Sequence, residues 1–183
     1  MKRVFFLIFL ILCTLQSQSQ TYIKGNLVSA LVLVPNVGVE TSIGEKSTLQ
    51  FDVIASFWKS INDSPAEFYI FIPEYRYHFR EKFNGLYIGG NIGATIFRFQ
   101  KWSNLDTNQY EQGFGYMMGV TLGYQKKIKD RFILDFFLGA GNHQGFYKGY
   151  NPDGSRYDYA KNYNKSGEWL PYRGGVMLSY KLN

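Results

Sequence analysis

Residues 71 to 80 read FIPEYRYHFR, and inside that largely aromatic and aliphatic stretch Glu74 and Arg76 stand two apart. A carboxylate and a guanidinium at this spacing have the makings of an acid–base pair or an anion cradle. In a strand, however, successive side chains point to opposite faces. Tyr69, Phe71, Pro73, Tyr75, Tyr77 and Phe79 then share one face, and Glu74, Arg76, His78 and Arg80 share the other. The two histidines are His78 and His143, and the chain holds no G-x-S-x-G, no H-E-x-x-H and no Cys/His spacing. GAGNHQG at residues 139 to 145 has the glycines of a phosphate loop without its strand-to-helix setting, so these read as packing or strand-end glycines. NPDG at residues 151 to 154 could begin a calcium loop but reads better as a plain turn. Neither a cofactor, a metal nor catalysis is expected from these residues.

The elements that must position them begin with a leader. Met1, Lys2 and Arg3 precede an unbroken apolar run from Val4 to Cys13 and then the polar TLQSQSQ. This is the layout of a secretory signal peptide. The run is too short for a transmembrane helix, which takes about 20 residues. Ser17 and Ser19 predict cleavage near residue 19 or 20, leaving residues 21–183 as one domain. Cys13 lies inside the apolar run and follows Leu12, which argues against a lipoprotein. Losing residues 1–20 removes the single cysteine, so no disulfide is available, and lowers the formal charge from +6 to +4. No basic helix or stripe accompanies that charge, and an exported protein is a poor candidate for nucleic acid.

The rest of the chain alternates with period two, and no second segment has helical periodicity. Leu49, Phe51, Val53, Ala55 and Phe57 alternate with Thr48, Gln50, Asp52 and Ser56; Ile88, Ile92, Ala94 and Ile96 with Tyr87, Gly89, Asn91, Gly93 and Thr95. Phe114, Tyr116, Met118, Val120, Leu122 and Tyr124 interleave with Gly115, Met117, Gly119, Thr121 and Gly123. The same holds for Phe132 to Ala140, and for Leu170, Tyr172, Gly174, Val176 and Leu178 against Pro171, Arg173, Gly175 and Met177. Short links near residues 44–46, 82–85 and 127–130 alternate with longer polar ones at 59–66, 101–112 and 148–167. Residues 22–43 complete the set as a hairpin with Pro35-Asn36 at its tip, making eight strands. The fold class predicted is all-β, an eight-stranded antiparallel up-and-down transmembrane β-barrel behind a signal peptide. A lipocalin-like barrel, with the apolar register inward, would need an outer face rich in long solvated side chains. The polar register here is instead rich in Gly, Asn, Ser and Thr, which suits a cramped lumen.

The stretches IKGNLVSALVLVPNVGVETSIG, PEYRYHF with the following EKFNG, and GVTLGYQKKI resemble the small outer-membrane barrels of Bacteroidota that are grouped as a domain of unknown function and related in shape to OmpA/OmpX-type barrels. The resemblance covers essentially all of residues 21–183 and implies the cell outer membrane as location, without implying an activity. YKGYNPDGSRYDYAKNYNKSGEW has no counterpart in it. Gly175, Leu178 and Tyr180 are similar to the C-terminal signal read by the barrel-assembly machinery, although Asn183 replaces the usual terminal aromatic residue.

Folded this way, Lys24, Glu40, Asp52, Glu74, Arg76, Asp135 and Arg173 point into the lumen, where buried charges survive only when paired. They are expected to form a structural salt-bridge network that plugs the barrel. Tyr147, Tyr150, Tyr157, Tyr159, Tyr163 and Trp169 form a candidate binding surface in the last loop, or part of the outer aromatic girdle. The enzymatic alternative is an outer-leaflet lipid A-modifying hydrolase with His143 as general base, which would require a serine and an acid beside it. The expected partners are outer-membrane lipids, the assembly machinery and an unidentified surface ligand. The barrel is expected to be a monomer that binds no nucleic acid.

Overall fold

A computed structural model describes residues 20–61, 64–101, 104–158 and 160–182. The leader and Tyr159 lie outside the described residues. Eight antiparallel strands, each paired with the next in chain order and the last with the first, close into a barrel. They are β1 (Thr21–Asn26), β2 (Asn36–Ser42), β3 (Ser47–Ile61), β4 (Ser64–His78), β5 (Gly85–Phe99), β6 (Tyr110–Lys129), β7 (Phe132–Tyr150) and β8 (Asn164–Lys181). Closure pairs every strand on both sides and leaves no free sheet edge.

The two registers separate cleanly. On β4, Glu74, Arg76 and His78 are buried while Tyr75 and Tyr77 are exposed. On β6, Thr121 and Gln125 are buried while Val120, Leu122 and Tyr124 are exposed. The interior is therefore polar and the exterior apolar, the reverse of the lipocalin arrangement. Outward residues also line up across strands. Ile88, Leu122 and Leu138 are successive cross-strand partners, and so are Ile96, Phe114 and Phe146, making continuous apolar rows around the wall.

Three local features depart from the alternation. Residues 22–43 do form a hairpin, but Pro35-Asn36 is not its tip. The chain leaves β1 into a short helix, α1 (Leu27–Leu31), and β2 begins at Asn36. Asn26 caps α1: its side chain accepts from the backbone N–H of Val28 at 3.1 Å and of Ser29 at 3.4 Å. Five residues cannot display a helical period, so the alternation conceals the element. Second, β8 carries a bulge. Gly139 pairs with Arg173 but Ala140 pairs with Pro171, so Tyr172 is the extra residue. The outward face consequently shifts by one residue below the loop: Trp169 and Pro171 are exposed, and Tyr172 turns inward with Arg173 rather than standing outside with Leu178. Third, Phe83 adopts a left-handed conformation, φ 61°, in the β4–β5 turn and is fully buried against Tyr22, their ring centroids 4.6 Å apart. With Ile133 these rings close the short-turn end of the lumen.

Candidate functional site

Each of the eight strands sends a polar side chain into one buried cluster just inside the Phe83 cap. Lys24 from β1 donates through Nζ to Glu40 of β2 at 2.7 Å, to Gln50 of β3 at 2.7 Å and to Asp135 of β7 at 2.5 Å. Arg76 of β4 donates from Nε to Glu74 at 2.5 Å, and from Nη1 to Asp135 at 2.7 Å and to Glu40 at 3.2 Å. Its guanidinium lies 4.5 Å from the ring centroid of Tyr87 on β5, whose hydroxyl donates to Asp135 at 2.9 Å. Gln125 of β6 donates to Glu40 at 2.9 Å and to Asp135 at 3.2 Å. Arg173 of β8 bridges Glu74 and Asp52, with its guanidinium over the Phe137 ring.

The structure thus brings all seven charged residues named from the sequence into one continuous chain of ion pairs. The order Asp52, Arg173, Glu74, Arg76 leads to Glu40 and Asp135, which share Lys24. Neutral groups occupy much of the remaining acceptor capacity. Thr121 donates to Glu74 at 2.7 Å, Thr48 to Glu40 at 2.6 Å, and Gln50 to both oxygens of Asp52 at 2.7 Å. Asn91 links Glu74 to Thr121 and accepts from Tyr172, the bulge residue. His78 faces Thr48 at 3.2 Å and stands 3.8 Å from Glu40.

Sequence reasoning passed over Gln50, Tyr87, Asn91, Thr121 and Gln125 because they bear no formal charge. Their signal was present, since each lies on a polar register. Sidedness also explains the inward glycines. A Cβ on Gly89 would fall 2.8 Å from the Glu74 carboxyl carbon, one on Gly123 would fall 2.4 Å from Tyr87, and one on Gly139 would fall 2.7 Å from Arg173. Gly123 and Gly139 are the direct cross-strand partners of those large residues. A narrow barrel can hold this many long side chains only where the neighbouring strand contributes none.

Chemically, the cluster is a plug. Glu40, Glu74, Arg76 and Asp135 are essentially inaccessible to solvent, and each of these carboxylates receives several donors. Among the described residues no group of three or more His, Cys, Asp or Glu side chains could hold a metal ion.

Nearer the long loops the interior changes character. His143 is half-buried, shares a 3.0 Å hydrogen bond with Thr95, and lies beside Phe97. Its cross-strand neighbour is Glu168, which Lys101 engages at 3.0 Å while also lying 3.3 Å from Glu111. The tyrosines of the last loop do not gather into one surface. Tyr147 lies under Lys101, Tyr150 stacks on Tyr110 at 5.5 Å, and Tyr157 packs on Gly149. Tyr163 meets Phe114 edge-on, and Trp169 is 81% exposed on the outer wall. At residues 151–154, Asp153 accepts from the hydroxyl and backbone N–H of Ser155, which hold its carboxyl below the usual range. Gly154 at φ 84° completes a turn.

Residues 4–182 match the family described as Protein of unknown function (DUF3575). No curated protein and no solved structure matches the chain.

Proposed function

We propose that this chain, which belongs to the family of proteins of unknown function DUF3575, is an integral outer-membrane barrel that acts structurally or by binding at its long-loop surface. One observation carries the reading: the outer wall exposes Ile88, Ile92, Ile96, Met118, Val120, Leu122 and Leu138 in aligned rows, while the charges are sealed inside. Soluble monomers rarely expose contiguous apolar patches beyond a few hundred Å². In a bilayer such rows are what a spanning strand of about 9 to 11 residues presents. Tyr75, Tyr77, Tyr124 and Tyr180 then stand at the level of one headgroup region, beside the short turns, as interfacial aromatics do.

On this reading the leader is removed near residue 20, the last strand is the element recognised during assembly, and the barrel is an OmpA/OmpX-type monomer in lipid. The mature protein is expected in the outer-membrane fraction, with an N-terminus near residue 20 and heat-modifiable mobility on denaturing gels. Recovery as a soluble periplasmic protein would overturn the proposal. If the barrel acts structurally or by binding, lipid A mass spectra should be identical with and without the protein. A shift in those spectra that His143→Ala abolishes would establish the hydrolase instead.

A further inference from the structure

The charges of the domain are unevenly distributed. Inside the barrel, Lys24, Arg76 and Arg173 face Glu40, Asp52, Glu74 and Asp135, an excess of one negative charge. The β2–β3 and β4–β5 turns carry Lys46, Arg80 and Lys82 against Glu45 and Glu81. Around the β6–β7 turn Lys126, Lys127, Lys129 and Arg131 meet only Asp130, and Lys181 ends β8 on the same rim. That rim therefore bears eight basic residues against three acids. The remaining seven cations and seven acids from residue 21 onward cancel. The whole net positive charge of the domain is concentrated at the short-turn end.

The collar also has a built recess. A cavity of about 420 Å³ opens there over the lumen mouth, lined by Lys127, Lys129 and Lys181 with Gln20, Tyr22 and Asp130. Lys127 lies 3.6 Å from Glu81, and among the described residues neither Lys129 nor Lys181 has an acid within ion-pair distance. The collar is continuous with the apolar wall. Lys126 follows Tyr124 on the outward register and pairs across with Leu134, while Arg131 donates to the hydroxyl of the outward Tyr180 at 3.1 Å. Cations set immediately beyond an aromatic and aliphatic belt are at phosphate depth.

We propose that this rim is a binding surface for anionic phospholipids, with Lys126, Lys129 and Arg131, which continue the outward register of β6 and β7, receiving the headgroup phosphate. The inference rests on the membrane reading above. Continuity with the belt singles out a lipid over a soluble polyanion, because the acyl chains of a bound phosphatidylglycerol would run along Leu122, Tyr124, Leu134 and Phe136.

The test refolds the mature chain into phosphatidylcholine vesicles carrying traces of spin-labelled phosphatidylglycerol or spin-labelled phosphatidylcholine. Protease protection of the strands is read first, and its absence overturns the membrane reading and this inference with it. In protected samples the motionally restricted fraction of label is compared. Phosphatidylglycerol should associate about threefold more strongly than phosphatidylcholine at low salt, with the preference shrinking as salt screens the rim. The triple substitution Lys126→Gln, Lys129→Gln and Arg131→Gln should abolish the preference, and Lys148→Gln with Lys165→Gln at the opposite end should leave it intact. Equal restriction of both lipids by the unaltered protein, or an undiminished preference in the protected triple variant, overturns the proposal while leaving insertion standing. Loss of the preference to inorganic phosphate at matched ionic strength would make the rim a free-anion site and overturn its assignment to lipid.

Discussion

From the short turns up to Asn91, the interior of the barrel is a dense array in which ionic groups are shared among several strands and closed off from water, with Arg76 Nη2, Arg173 Nε and Gln125 Oε1 left without a hydrogen-bond partner. From Thr95 to Lys101 the interior polar groups meet in smaller sets, Thr95 with His143 and Lys101 with Glu111 and Glu168, and the Lys101 and Glu168 side chains retain 20% and 44% of their exposure. The difference follows from solvent. A charge with no access to water must find all its partners in the protein, which forces long side chains from every strand to one level. Near the mouth Glu168 keeps part of its hydration and can be held loosely, while Glu111 beside it is buried against Lys101. The lower half should therefore behave as a structural unit, and the upper half should tolerate change.

The two halves should differ most at Arg76. It touches Glu40, Glu74 and Asp135 at once, so Arg76→Ala leaves three buried carboxylates facing Lys24 and Arg173 alone. Removing one partner of a buried pair costs about 3–5 kcal/mol, and Arg76→Ala should fall in or above that range in urea unfolding of the refolded barrel, followed by its heat-modifiable gel shift. Adding Glu74→Ala restores the native excess of one negative charge. The double variant should be more stable than Arg76→Ala alone, and a double as damaged as the sum of its parts would show that the pair is not coupled.

Neighbouring glycines on one strand sharpen the contrast between faces. Gly89 points inward, where an added Cβ meets the Glu74 carboxylate, whereas an added Cβ on Gly90 meets nothing within 4 Å. Gly89→Ala should cost about 1–3 kcal/mol as an overpacking change. Gly90→Ala should fall within about 0.5 kcal/mol of the parent, as exposed substitutions do. Equal effects would mean that the interior can give way around Glu74.

Much of this was legible in the alternation. Period two divides β3 to β7 into two faces, and the polar face carries Asp52, Glu74, Arg76 and Asp135 whatever the details of the turns. Legibility ended where the backbone departs from the period. The bulge at Tyr172 inverts the upper part of β8, and nothing in the types of Leu170 to Arg173 announces an extra residue. Phe83 looks like an ordinary turn residue until its left-handed conformation folds it under the barrel. The pairing of glycines with large neighbours requires the cross-strand register, which the pattern within one strand does not contain.

The smallest effects are expected at Glu168 and His143, near the long-loop mouth. Glu168 pairs with Lys101 through a side chain that keeps 44% of its exposure, so Glu168→Gln should cost about 0–1 kcal/mol, the range of solvent-exposed ion pairs. His143→Ala removes one hydrogen bond to Thr95 and a ring contact with Phe97. The cost of such a bond is about 1 kcal/mol. Both variants should refold and keep their heat-modifiable shift in the urea concentration at which Arg76→Ala is already unfolded. Destabilisation by either variant on the scale of Arg76→Ala would mean that the long-loop mouth is part of the same cooperative plug, with its ion pairs sealed from water and the charge array extending through the full height of the lumen.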